Sequence, residues 1–442
     1  MLQIGAFIAA WHDMNLARFL NLDTGYLKNV GFQSGGNILA QVINIASLPL
    51  ITRLFDPAEI GLFNLFVEFL ALATILISLR AEHVVLLPKT DRQAAELMGF
   101  VACFGAMSCI VMTVVMAALS ARGLVPAEYR VWALILPATS FLVVFAQAVQ
   151  QFSQRSADFR RSGSSEVVNR MSNSMVAIIA GSFGLPGIWL GIGTAMGFVG
   201  KLVVFRAAFR ELTPNLIAGT RTGWHRIRKQ KFEKILGSMM VSHIMLALTS
   251  LVPLIYVGYR FGAEYTGYFS LVIGTLALPT TLIGNAVGHV FFQRASHRFS
   301  HDGTFDKLLI ANLRMLVLMA IPAFLFVGVF GPSIYQLIFG GQWLVAGQTA
   351  QIYALAAAMS FITVPFGRTG LIVNAWWYGP GWQFGRLVTT AGVILFCEAS
   401  SKPYLTFILW LTAQATLLFV VDGVASYLFS KRNRPFSAER SR

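Results

Sequence analysis

Five polar side chains, Gln33, Asn37, Gln41, Asn44 and Ser47, recur in "GFQSGGNILAQVINIASLPL" at intervals of 4, 4, 3 and 3. At 3.6 residues per turn these intervals put all five on one face of an α-helix. Amides and hydroxyls aligned in this way can wall a water-filled cavity or tie one helix to another, the second worth about 1 kcal/mol per contact. Thr281, Asn285 and His289 repeat every four residues and make a similar stripe in the second half of the chain. Two acids stand alone in apolar runs: Glu68 in "LFVEFLALA" and Asp422 in "LLFVVDGVAS". An unpaired carboxylate there is costly, so each must be protonated, paired or facing water, and could bind and release a proton or cation. Arg53 interrupts "ITRLFDPAEIGLF" between two apolar runs. Lys28, Arg80, Arg170, Lys201, Arg314 and Arg386 each lie near the end of one. Singly these cations can snorkel to headgroups; together they could form an electropositive vestibule for a phosphate-bearing headgroup, which guanidinium grips in bidentate fashion.

The elements that must position these groups are membrane helices. The 442 residues are 56% hydrophobic and 12% charged, with a mean hydropathy of +0.66, outside the balance of a soluble globular protein. Apolar stretches of roughly 18 to 25 residues recur along the chain, each long enough to cross a hydrocarbon core of about 30 Å. The pattern predicts an all-α polytopic membrane protein of about twelve spans. The first six run near Tyr26–Ile51, Gly61–Leu79, Ala95–Leu119, Val131–Phe152, Val167–Phe183 and Leu185–Val204. The second six run near Ile235–Val257, Tyr265–Phe292, Leu308–Phe330, Ala346–Phe366, Phe384–Ala399 and Leu405–Phe429. Between residues 367 and 385, "IVNAWWYGPGW" reads as an interfacial turn with its tryptophans at headgroup level.

The net charge of +15 follows from topology rather than from nucleic acid binding. With both termini cytoplasmic, Arg53, Arg122, Arg130, Arg260 and Lys402 fall at outer ends, and the other 29 of the 34 basic residues at inner ends. The opening 22 residues lack a basic start and a clear cleavage site, so residues 1–25 are expected to form an interfacial segment rather than a signal peptide. Residues 26–205 and 235–429 form the two expected six-helix bundles. The basic stretch 206–234, with "HRIRKQKFEK", is the expected cytoplasmic linker, and 430–442 a basic cytoplasmic tail.

The halves resemble each other at a shift of 206 positions. Phe55 falls on Phe261, Gly61 on Gly267, Phe63 on Phe269, Leu65 on Leu271, His83 on His289 and Arg92 on Arg298. An even number of spans per repeat makes the bundles parallel, related by a pseudo-two-fold axis along the membrane normal, with a central cavity between them. Arg53 is not repeated, because Tyr259 stands opposite it.

Nucleotide loops, HExxH and catalytic triads are absent from the sequence, which argues against an ATPase or hydrolase. Cys103, Cys109 and Cys397 have no metal-ligand spacing. No metal or cofactor is expected. The pairs Gly31/Gly35 and Gly193/Gly197 have the GxxxG spacing of close helix packing. Glu166 and Arg170, four apart, read as an ordinary helix pair. Pro137, Pro253, Pro279, Pro322 and Pro365 fall within spans and can bend them.

"PLITRLFDPAEIGLFNLF", followed one span later by "LRAEHVVLLPKTDRQAAEL", resembles the bacterial polysaccharide biosynthesis flippases. These translocases of O-antigen and exopolysaccharide repeat units belong to the multidrug/oligosaccharidyl-lipid/polysaccharide exporter superfamily. The resemblance implies movement of an undecaprenyl-diphosphate-linked oligosaccharide across the cytoplasmic membrane by alternating access, driven by an ion gradient. Partners would be that lipid-linked substrate, membrane lipids, and the polysaccharide polymerase and chain-length machinery. The family pattern carries over at Arg53, Arg80, Glu82 and Lys89, while His83 departs from it. The expected headgroup contacts are then Arg53, Arg80, Lys28 and Arg314. The expected cavity-lining amides are Gln33, Asn37, Gln41, Asn44 and Asn285, and the ion-coupling candidates Glu68, Glu82 and Asp422. Two alternatives stay open: a related exporter of small molecules, and a membrane glycosyltransferase or polymerase acting on the same lipid.

Overall fold

Membrane helices satisfy every backbone polar group internally, and the chain is built accordingly. The computed structural model describes residues 24–155, 158–206 and 232–432, with only the backbone of 24–31, 232–235 and 238. The linker, apart from its ends, most of the tail and nearly all of the N-terminal segment lie outside these residues.

The first half contains α1 (Thr24–Leu54), α2 (Pro57–Ser78), a 3₁₀ helix (Ala81–Leu86), α3 (Asp91–Ala121), α4 (Arg130–Arg155), α5 (Phe159–Ser182) and α6 (Ile188–Val204). The second half contains α7 (Phe232–Phe261), α8 (Ala263–Leu276), α9 (Asn285–Asp302), α10 (Asp306–Phe339), α11 (Leu344–Thr363), α12 (Tyr378–Ala399) and α13 (Tyr404–Ser430). Among the described residues every regular element is helical, and the helices follow the twelve expected spans. The eighth span is α8 and α9 in series, joined through Pro279 and a π turn at Thr280–Gly284. That turn interrupts the α-helical winding on which the Thr281, Asn285 and His289 stripe was read.

Local sequence explains the helix ends. Thr90 accepts from the Gln93 backbone N–H at 3.4 Å and starts α3, and Asp158 accepts from that of Arg161 at 3.1 Å and starts α5. The expected turn at 367–385 is shorter than its Gly and Pro content suggests. α12 already begins at Tyr378, because Pro380 sits in a first turn where the missing N–H forfeits no helical bond.

Among the described residues nine helical stretches are long and apolar enough to cross a membrane, and α6 is apolar but shorter. α5 falls below that level because Ser162, Glu166, Asn169 and Asn173 form a polar stripe along it. Small residues let α6 approach this stripe. A Cβ on Gly197 would meet the Asn169 carbonyl oxygen at 2.7 Å, and one on Gly193 would meet that of Asn173 at 3.1 Å. The Gly193/Gly197 pair thus serves close packing, as expected. On α1 the packing glycine is Gly36, whose Cβ would lie 2.5 Å from the Gly163 backbone, whereas Gly35 faces open space.

The chain divides into two compact units: residues up to 48 with 76–183 and 189–237, and 49–75 with 184–188 and 238 onward. The first has an apolar core around the 3₁₀ helix, including Val84, Val85, Leu97, Met98 and Val149. The second contains an aromatic cluster in which Tyr265 lies 4.7 Å from Tyr404 and Tyr256 lies 4.9 Å from Phe407, centroid to centroid. In the second unit the repeat-related helices α2 and α8 touch at equivalent positions. A Cβ on Gly61 would lie 2.1 Å from the Ala263 carbonyl oxygen, and one on Gly267 would lie 1.9 Å from that of Pro57. Asn64 donates to Ser270 Oγ at 2.9 Å, and these residues are also 206 apart. Equivalent residues meeting one another is the signature of a local two-fold relation.

Candidate functional site

Asn64 and Glu68 are four apart on α2 and share a face. Asn64 is held by Ser270 and by the Ile60 carbonyl, both at 2.9 Å. One turn further on, Glu68 opens onto a cavity of about 250 Å³ within the second unit. The cavity is walled by α2, α7, α8, α11, α12 and α13, and its polar lining includes Thr249, Tyr353, Arg386 and Gln414. Two backbone features shape it. Pro253, also in the wall, has no N–H, so the Thr249 carbonyl one turn earlier lacks its helical donor. Gly274 stands 206 positions from Glu68, also lines the cavity, and a Cβ there would have nothing within 4 Å.

Arg386 brings the positive charge. Its guanidinium carbon lies 5.8 Å from the centre of the Phe419 ring. Asp422 lies within its electrostatic reach, 4% exposed, and accepts from Tyr378 Oη at 2.7 Å. Gln414 donates to Thr389 Oγ1 at 2.7 Å and braces α12 against α13. With all three charged groups ionised, Glu68, Asp422 and Arg386 sum to one negative charge, which a proton or monovalent cation would neutralise. The cavity has room for ordered water together with an ion or a small anionic group.

The remaining expected site residues are dispersed. Arg53 is exposed, and its Nη2 donates to the Leu337 carbonyl at 2.7 Å, in the last turn of α10. The carbonyls there lack helical donors, so Arg53 caps a helix. Its neighbours join the same clip: the Thr52 carbonyl accepts from Gln342 Nε2 and from Trp343 Nε1, both at 2.8 Å.

Arg80 and Glu82 belong to the first unit and pair at 3.4 Å, with Glu82 fully buried. Leu79 and Arg80 both have left-handed backbones, φ 51° and 63°, a strained conformation for non-glycine residues. Arg155, at the end of α4, donates to the Leu86 and Pro88 carbonyls at 2.9 Å each and to Asp91 at 3.1 Å. The motif that carries the resemblance is therefore also a braced, buried corner of the fold.

Arg314 is exposed on α10, and the side chain of Lys28 lies outside the described ones. On α1, Asn37 is exposed and accepts from Gln33 at 3.4 Å; Gln41 and Asn44 are half-buried, and Ser47 is buried and accepts from Ser174 at 2.9 Å. The stripe thus serves helix pairing at its Ser47 end and is open at Asn37. Asn285 is exposed and donates to the Thr281 carbonyl at 3.0 Å.

By sequence alone this helix starts at Phe384, which puts Arg386 near a helix end. With α12 starting at Tyr378, Arg386 lies two turns inside the helix and faces the cavity. Glu166 does not pair with Arg170. It accepts from Lys201 of the facing helix α6 at 2.7 Å, with the Lys201 side chain only 4% exposed. α4 carries a further polar stripe, Gln147, Gln150, Gln151 and Gln154 at i, i+3, i+4 and i+7, legible from spacing alone.

A family model described as polysaccharide biosynthesis protein matches residues 50–348. The lipid II flippase MurJ, in an inward closed conformation, has a similar fold with a TM-score of 0.66 and 12% identity, over 90% of this chain and 89% of that one. An inward-facing multidrug resistance MATE family transporter of the MOP superfamily is similar with a TM-score of 0.58 and 12% identity, over 88% and 94% of the two chains. No curated protein matches the sequence.

Proposed function

We propose, from the premise that this chain belongs to the polysaccharide biosynthesis protein family, that it is a flippase for an undecaprenyl-diphosphate-linked oligosaccharide. It moves the repeat unit across the bacterial cytoplasmic membrane, with both termini on the cytoplasmic side, by alternating access coupled to an ion gradient. The observation that carries this reading is the cavity lined by both Glu68 and Arg386, with Asp422 within electrostatic reach of Arg386, in a chain whose fold is similar to that of a MOP superfamily transporter.

A diphosphate cannot enter a low-dielectric interior without a compensating charge. Arg386 is the cation placed to supply it, ahead of Arg53 and Arg80, whose guanidinium groups already hold a helix end and a buried acid. Glu68 is the proposed ion-coupling carboxylate, with the freed Thr249 carbonyl as a second oxygen donor. Loading a proton or monovalent cation cancels the excess negative charge and leaves Arg386 free to attract phosphate; releasing it restores the Glu68 charge that competes for Arg386. The substrate's hydrophobic tail stays in the bilayer. Transport, not bond making, is the proposed activity.

The test is reconstitution. Purified protein in liposomes, supplied with an undecaprenyl-diphosphate oligosaccharide on one face, should expose it on the other when a proton or sodium gradient is imposed. No translocation under any gradient would refute the reading. Formation of a sugar linkage by the purified protein would favour the glycosyltransferase alternative.

A further inference from the structure

The charged cavity answers the charge of the substrate, and a glycan also needs a surface of uncharged donors and acceptors. The first unit contains a polar interior outside the site described above. α4 presents Gln147, Gln150, Gln151 and Gln154 on one face. That face meets the polar stripe of α5: Gln150 Nε2 donates to Ser162 Oγ at 2.9 Å and to Glu166 Oε1 at 3.0 Å, and Gln154 Nε2 donates to Ser162 Oγ at 3.0 Å. α6 adds Lys201, bound to the same Glu166 oxygen, and α1 adds Gln33, whose Cα lies 3.5 Å from where a Cβ on Gly163 would be. Four helices thus bring amides, a carboxylate and an ammonium group together around Ser162.

Two properties of this cluster point to a ligand. The first is unused hydrogen-bonding capacity. Oε1 of Gln33, Gln147 and Gln151 and Nδ2 of Asn169 are buried without a partner among the described residues, and Asn169 is only 6% exposed. Each buried polar atom left unpaired costs about 1–3 kcal/mol, and helix packing alone gives no reason to retain four of them. The second is charge. Glu166 and Lys201 compensate each other, so this pair adds no net charge to the donors and acceptors around it. A cation or diphosphate would gain little there, whereas a polyol has the O–H groups that orphaned amide oxygens can accept from and the oxygens to which Asn169 Nδ2 can donate.

We propose that this interior of α1, α4, α5 and α6 binds the sugar hydroxyls of the lipid-linked substrate, with Gln147 and Gln151 as specificity-determining contacts. The proposal rests on the flippase reading and divides its substrate: charge is handled in the second unit, the glycan in the first.

Methionine is nearly isosteric with glutamine and cannot make these bonds, so Gln147→Met and Gln151→Met are the test variants. Full-length protein in nanodiscs is titrated with two probes: the lipid-linked saccharide extracted from cells lacking this chain, and bare undecaprenyl diphosphate. Each variant should keep or raise its Tm, because an unpaired buried amide has been removed. Each should bind the saccharide-bearing lipid at least tenfold more weakly and the bare lipid within twofold of wild type. A Tm lowered by several degrees with both lipids weakened alike would make the amides structural and overturn the site. Wild-type affinity for both lipids in both variants would overturn it too. Wild-type protein that binds neither lipid would sink the flippase reading itself, an outcome distinct from a failure confined to the variants.

Discussion

Substituting alanine for Gly61 or Gly267 tests the two-fold contact on which the cavity is built. A Cβ on Gly61 would stand 2.1 Å from the Ala263 carbonyl oxygen, and ordinary contact begins near 3.4 Å, so the backbones must part by about 1.3 Å. At Gly267 the gap to the Pro57 oxygen is 1.9 Å and the required shift about 1.5 Å. Neither obstacle is a flexible side chain. The cost should therefore fall near the upper end of the overpacking range, about 3 kcal/mol. The Asn64–Ser270 hydrogen bond, 2.9 Å long, would stretch beyond hydrogen-bonding distance. For a chain of this length each kcal/mol corresponds to about 1–2 °C, so each variant should lose about 3–6 °C in Tm. The double variant should lose less than the sum, because helices already parted by one methyl accommodate the second. Disulfide formation between cysteines at positions 64 and 270, efficient in the otherwise unchanged chain, should drop with either alanine. Unchanged Tm and unchanged cross-linking would show that α2 and α8 do not meet as described.

Glu68→Gln should preserve folding but alter the dependence of transport on the proton or sodium gradient; identical gradient dependence would make Glu68 structural. Arg53→Ala should impair transport more than Arg122→Ala at equal membrane abundance, and Gln342→Ala, which loosens the same clip, should reproduce part of that defect. Equal activity of the two arginine variants would remove any role for Arg53. Gly274→Ala points into open space and removes a helical glycine, worth about 1 kcal/mol. It should keep or raise Tm while reducing gradient-driven transport by narrowing the cavity opposite Glu68, and full transport at raised Tm would detach the cavity from coupling.

Hydrophobic runs long enough to span a bilayer made the helical plan legible, since membrane helices are set by length and polarity more than by tertiary context. The repeat was legible at Gly61 and Gly267 because a close backbone approach tolerates no side chain. Glu68 stood out because a lone carboxylate in an apolar helix demands an explanation. The partners of charged groups were not legible. Arg53 finds a carbonyl 284 residues away, and Glu166 finds Lys201 on a facing helix instead of Arg170 on its own. Such pairings depend on which helices adjoin, and a single sequence does not encode that at fixed spacing. Arg386 was misplaced for a local reason: Gly379, Pro380 and Gly381 read as a turn but form the first turn of a helix.

The duplicated frame explains why one cavity can be both stable and reactive. Where the halves must touch, the equivalent residues are alike in size or bonding: Gly61 with Gly267, and Asn64 with Ser270. One turn further on the equivalence breaks, with a carboxylate at Glu68 and no side chain at Gly274. Two glutamates at those positions would face each other as like charges in a low-dielectric site, and two glycines would leave nothing to titrate. One acid opposite an empty position gives a site with room for an ion, and it needs no strain because the symmetric contact next to it fixes the helices. Arg386, from a helix outside that pair, then supplies the charge that neither repeat-related helix carries there.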